Sequence, residues 1–498
     1  MPRLRSMADA ALCDLSAVAA LELFAKRALS PVEMTQAVLA RAEASQEGIN
    51  AFAHLAPETA LYMARASEDR YGGKGDAPRA LEGICVALKD TGNLAGWPTS
   101  YGSLTSDRKP RQTTSPENDT MLRAGAALIG TTRTPEFSGA LFTHSRAGGV
   151  TRNPHNRNLT PGGSSGGAAA SLAIGAATLA VGSDIGGSIR VPASCCGVVG
   201  YKPPKGRNPV TPPFNLDYFC HTGPLARSLA DTVLMQNAMC GPHPGDVTTL
   251  HPRLELSAKV KPLTGLRIAT SLDLGFFEID ADVARNTRAA LEIFKSCGAT
   301  VTEIALPWDV SVIDAGKTHL AHIFSSWMAE ASEGQSDLIC PYTATWIEQG
   351  KAGSAQGFYN ALCTAGQMGQ DFAAAMAGFD VFICPTTALP AVDAIFDHSQ
   401  DRLRINGKPV DPVLGWALTV PFNMLSSHPV LSVPSGIARN GCPTGIQIVA
   451  KPFRDQDAFD AALAYEAELG GFGQIIPKPD WHAEQNQAAA GNDLHTSK

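Results

Sequence analysis

Two spacings of apolar residues alternate along the chain. Helical spacing over residues 15–28 and 31–45 predicts two amphipathic helices, the second opened by Ser30 as N-cap, Pro31 at the first helical position and Glu33 closing an S-x-x-E capping box. A third helix is expected over 57–70, again led by proline, and a loop over 72–78. Short, mostly apolar runs at 84–88 and 380–384 read as buried strands, and further strands are expected at 127–130, 196–201, 266–269, 300–304, 429–434 and 445–450. Helices are predicted between them at 119–126, 168–181, 280–297 and 455–469. Residues 223–239 read as a turn followed by a helix, and 319–378 as mostly helical. Residues 91–107, 131–137 and 148–154 read as loops. Strands alternating with helices throughout predict an α/β protein.

Composition narrows the class. At 498 residues without a Pro/Ser linker or charge run, the chain reads as one large domain with insertions. Apolar residues make up 44% and charged residues 17%, which suits a large buried core. The net charge of -7, with Lys and Arg dispersed, argues against a nucleic-acid or anionic-membrane partner. Arg3 and Arg5 are followed by Asp9, Asp14 and Glu22, so no clean signal-peptide core is present, and no transmembrane run is expected. Eleven cysteines without CxxC spacing, including the adjacent Cys195 and Cys196, fit a reducing cytoplasm. No zinc-ligand, phosphate-loop or dinucleotide fingerprint is present, so no metal and no cofactor are expected.

Residues 160–190 concentrate the candidate chemistry. Gly162-Gly163 and Gly166-Gly167 bracket Ser164 and Ser165, and Gly186-Gly187 leads into Ser188. Such turns serve equally as packing devices or as two halves of one site. Consecutive N–H groups at Ile185, Gly186, Gly187 and Ser188 can form an anion-binding nest. A serine nucleophile needs a base. Lys89, at the end of the strand over 84–88, is paired with Asp90, a surface lysine, or a base at a strand terminus. His144 and His155 are further candidates, but no GxSxG elbow supports a His-Asp triad.

GGSSGG, then SDIGGSIR, with Lys89 in VALKD upstream, resembles the amidase signature family, and Ser188 follows Ser164 by 24 residues as in that family. AGAALIGTTRTPEF, CGVVGYKPPKGR, GPLARSLADT, DVFICPT and GIQIVA add to the likeness, which spans roughly residues 10 to 470. TTRTPEF and YKPP depart from the KTN- and LKPT-type stretches common there, and His155 stands where an aromatic is common. The resemblance implies a large mixed β-sheet core sandwiched by helices. It implies an N-terminal helical region (1–80) packed on the core, a catalytic domain (81–475) and a polar tail (476–498). It also implies a Ser-Ser-Lys triad. Ser188 would be acylated, and Ser164, after a cis peptide at Gly163, would bridge it to Lys89. Ile185, Gly186, Gly187 and Ser188 would form the oxyanion hole, and Ser165, Asp184 and Arg190 would support the turn.

The function so implied is a self-sufficient hydrolase of small or aryl amides, with carbamates and esters as related substrates, acting as monomer or homodimer. The alternatives are the glutaminase subunit of a tRNA-dependent amidotransferase, which needs partner subunits, and a non-catalytic scaffold. By the same resemblance, loops near 91–145, 212–222 and 310–425 would line the substrate pocket. Trp97, Tyr101, Phe137, Phe142, Phe214, Phe219, Phe324, Trp327 and Trp416 are its aromatic candidates.

Overall fold

The apolar runs become the strands of one sheet. The computed structural model describes residues 11–481 and the backbone of Thr496–Ser497. Its main sheet is built from β1 (Phe52–Leu55), β2 (Cys85–Lys89), β3 (Ala127–Thr132), β4 (Leu179–Asp184), β5 (Val199–Lys202), β6 (His221–Ala226), β7 (Arg267–Thr270), β8 (Thr300–Glu303), β9 (Val381–Pro385), β10 (Val430–Ile437) and β11 (Pro443–Ala450). The order across the sheet is β1-β3-β2-β4-β6-β5-β10-β11-β9-β7-β8. Strands β3, β2 and β4 run parallel at one end, and β9, β7 and β8 at the other. Antiparallel pairs through β6, β5, β10 and β11 join the two wings.

Helices cover both faces, which explains why the inner strands read as apolar runs, whereas the edge strand β8 is largely exposed. In β9 the side chains alternate between two buried layers. Val381 and Ile383 join Phe294 and Tyr465, whereas Phe382 and Cys384 join Phe372 and Phe422 on the other face. The mixed sheet between helical layers matches the architecture expected from the sequence.

Several local readings are corrected. Residues 168–181 form no single helix. The helix Gly166–Ala173 ends before Gly175, which takes a positive φ, and the chain re-enters the sheet as β4. An apolar strand buried on both faces is not separable from a buried helix by periodicity. The run 196–201 contains the end of a helix, Arg190–Cys196, before β5. The turn expected at Gly223-Pro224 is instead part of β6, held extended between β4 and β5. The stretch before residue 80 contributes β1 to the sheet edge as well as helices. The expectation for the polar tail falls mostly outside the described residues. No helix among the described residues is long and apolar enough to cross a membrane, and all eleven cysteines are free.

Candidate active site

Parallel neighbours β2 and β4 end side by side, and ligand sites in such sheets lie beyond the carboxyl ends of the strands. Lys89 closes β2, Ser183 and Asp184 close β4, and the turn Ile185–Ser188 leads into the helix Arg190–Cys196. Against these ends lies the 160–165 segment, with a cis bond between Gly163 and Ser164. It is fastened there by Ser165 N–H, which donates to Ser188 O at 3.1 Å.

Lys89 is 3% exposed. Its Nζ donates to Ser164 Oγ at 2.7 Å and to Ser183 Oγ at 2.8 Å. No ion pair joins it to Asp90, which instead accepts from Ser100. Burial lowers the Lys89 pKa to about 7, against smaller upward pulls from Cys220 and Asp184. The side chain is therefore neutral in a large fraction of molecules at neutral pH. An unperturbed lysine would be neutral in only ~0.04% of molecules at pH 7. A neutral amine one hydrogen bond from a serine hydroxyl can take its proton.

Ser188, 4% exposed, lines the same cleft as Ser164. Asp184 and Arg190 brace the turn before it. Both are fully buried, joined by Arg190 Nη2 to Asp184 Oδ1 at 2.9 Å and Nε to Oδ2 at 3.0 Å. Burial alone would raise the Asp184 pKa, but the Arg190 charge and the hydrogen bonds of Arg190 and Asn423 hold it well below the usual carboxylate range. Asp184 also accepts from the N–H groups of Gly187 and Ile189. The Gly187 N–H is thus already engaged. Of the four donors expected for the oxyanion hole, Ile185, Gly186 and Ser188 have no partner for their N–H among the described residues. Gly187 has φ +124°, and a Cβ there would overlap Thr419 Oγ1. Thr419 in turn donates to Gly186 O at 2.8 Å.

The sequence reading missed Ser183, Thr419, Asn423 and Gln447. Arg190 Nη1 donates to Gln447 Oε1 at 2.7 Å, and Nη2 to Asn423 Oδ1 at 2.7 Å. Ser183 stood in the SDIGGS motif, and its position beside Asp184 was the available signal. Neither candidate histidine lines the cleft. His144 stacks on Phe142 with its Nε2 at Phe396 O, and His155 meets Cys196 O, its pKa lowered to about 4 by burial.

Ser188 opens on a cleft of about 150 Å³. Trp327 forms its aromatic wall, meeting the edges of Tyr101, Phe137 and Phe214 at ring-centroid distances of 5.2–5.7 Å, with Phe324 alongside. Of the nine candidate aromatics, these five line the cleft. Trp97 packs on His54, Phe142 and Trp416 are buried in the core, and Phe219 packs tilted against His319. The described lining residues include neither Arg nor Lys. Ser188 also borders a slot of about 20 Å³ walled by Leu141, Leu320, Trp346 and Leu414.

A family model described as Amidase matches residues 33–458. The chain is similar to a Glutamyl-tRNA(Gln) amidotransferase subunit from Geobacter metallireducens, 31% identical over 472 residues that cover 89% of this chain and 94% of the relative. Among solved structures, a bacterial aryl acylamidase of the amidase signature enzymes matches with a TM-score of 0.86 at 27% identity, covering 93% of this chain and 98% of that one. The 6-aminohexanoate cyclic dimer hydrolase complexed with substrate matches at 0.82 and 26% identity, covering 94% and 99%.

Proposed function

Because the chain belongs to the Amidase family of C–N hydrolases, we propose that it hydrolyses small or aryl amides through an acyl-enzyme on Ser188, with carbamates and esters as related substrates. Neutral Lys89 takes the proton of Ser164, and Ser164 takes that of Ser188 as Ser188 Oγ bonds to the carbonyl carbon. The N–H groups of Ile185, Gly186 and Ser188 receive the oxyanion. The C–N bond then breaks, and the leaving amine takes back the proton held on Lys89 through Ser164. Water, deprotonated by the same relay, releases the acid and restores Ser188.

The observation that carries this reading is the aromatic cleft at Ser188. A cavity of about 150 Å³ is of the size that binds a benzene ring, and its aromatic wall suits an aryl group. The second reading, a glutaminase component of a larger amidotransferase, draws on the similarity to the Geobacter protein. Free glutamine, however, brings an α-carboxylate, and none of the described lining residues offers it a cation.

The test is turnover by the purified chain alone. The proposal predicts release of aryl amine from an acetanilide, with ammonia release from glutamine much slower. Faster hydrolysis of glutamine, or aryl-amide activity only on addition of a partner protein, would overturn it.

A further inference from the structure

Glu117 stands in the first turn of the helix Pro116–Ala124, where a carboxylate suits the helix dipole. Most such carboxylates face water. Glu117 is 6% exposed and lines the same cleft as Ser164, Ser188 and the aromatic rings. One side chain serves it. Thr211 Oγ1 lies 2.7 Å from Oε1 and 2.8 Å from Oε2, and a hydroxyl has a single proton to donate. The other donor is its own backbone N–H. An ionised carboxylate offers about four acceptor sites, so about half of this one's capacity is unfilled. No salt bridge among the described residues reaches it, and the charged neighbour acting on it is another acid, Asp246. The chain makes room for the group: a Cβ at Gly92 would stand 2.7 Å from Glu117 Oε1.

A buried carboxyl without a cation is costly to keep. If Glu117 only tethered Thr211, glutamine would serve as well. We infer that Glu117 determines substrate specificity in this cleft, accepting a hydrogen bond from an amine or ammonium group carried by the substrate away from its scissile bond. This inference rests on the amide-hydrolase reading and narrows its substrate class to aryl amides bearing a second nitrogen donor.

The titratable groups facing Glu117 are Asp246, Tyr101 and Cys220. Burial, with Asp246 adding to it, raises the Glu117 pKa to about 7, against the hydrogen bonds from Thr211 and from its own backbone N–H. The carboxylate forms above that value, so preference for an ammonium-bearing substrate rises from pH 6 to pH 8, while an alkyl ammonium stays protonated throughout.

The experiment compares 4-(aminomethyl)acetanilide with 4-ethylacetanilide, which share acyl group and shape and differ by one nitrogen. Wild type, Glu117→Gln and Glu117→Leu are assayed from pH 6 to pH 8, reading the ratio of kcat/KM. Gln keeps the Thr211 tether and removes the charge. Wild type is expected to favour the aminomethyl compound by about tenfold or more at pH 8, the scale of one charge-assisted hydrogen bond, and less at pH 6. In the Gln variant the ratio falls to near one. A wild-type ratio near one, or a ratio retained in Glu117→Gln, overturns the inference. If neither anilide is hydrolysed, the amide-hydrolase reading falls instead. Calorimetric binding of 4-(aminomethyl)aniline against 4-ethylaniline then decides on Glu117 alone. Tighter binding of the diamine by wild type but not by Glu117→Gln upholds it, and equal binding overturns it.

Discussion

Lys89 Nζ lies 2.7 Å from Ser164 Oγ, at the end of a buried strand, and no carboxylate among the described residues pairs with it. A lysine so placed is useful as a base only when neutral. Activity should therefore rise with pH through about 7, following loss of the Lys89 proton. Lys89→Ala should lower kcat/KM by roughly 10²–10⁴-fold, the usual contribution of a positioned base. Lys89→Arg should fare no better, because guanidinium stays charged. The pH profile of kcat/KM for an aryl amide checks both, and a profile flat across neutral pH would count against the base.

The same burial makes folding pH-dependent. The folded pKa of Lys89 is depressed to about 7, against about 10.4 unfolded. Between these values the unfolded chain holds a proton that the folded chain has lost. Stability therefore rises with pH across that window, and the full penalty applies below pH 7. Lys89→Met lacks this dependence. Urea denaturation at pH 7 and pH 9 should show wild type gaining about 2 kcal/mol relative to the variant. A constant gap would contradict the depressed pKa.

Arg190 has no exposed surface and bonds Asp184, Thr419, Asn423 and Gln447. Arg190→Met leaves Asp184 charged and buried without its partner, which should cost about 3–5 kcal/mol in a denaturant titration. Arg190→Lys should recover part of that at most, since an ammonium cannot reproduce the two-pronged contact.

Trp327 touches three of the other four aromatic rings of the cleft within 5.7 Å, centroid to centroid. Trp327→Ala should lower kcat/KM for acetanilide by about 10- to 100-fold and change that for a small alkyl amide far less. Paired assays of the two substrates check this, and equal losses would show that the ring supports the fold rather than the aryl group.

Much of this was legible in the chain. Buried strands announced themselves as apolar runs, and Lys89 at the end of one was conspicuous because a charge does not belong there. The glycine-flanked serines drew attention through local spacing. What escaped depends on distance or on ambiguity. Arg190 meets Asn423 across 233 positions and Gln447 across 257, and Glu117 meets Thr211 across 94. No local pattern encodes such pairs. The break between the helix Gly166–Ala173 and β4 was hidden because the stretch that spans it, residues 168–181, is apolar but for Ser171 and Thr178. The extended Gly223-Pro224 follows from its neighbours in the sheet rather than from its own turn chemistry.

The most direct test of the central claim is intact-protein mass spectrometry after incubation with an activated aryl amide or carbamate, comparing wild type with Ser188→Ala. An acyl adduct on wild type and none on the variant is the predicted result. An adduct of equal yield on both would move the nucleophile to another residue, with Ser164 and Ser165 next in line. The absence of an adduct on either, even with a phosphonyl fluoride, would contradict acyl-enzyme chemistry in this cleft.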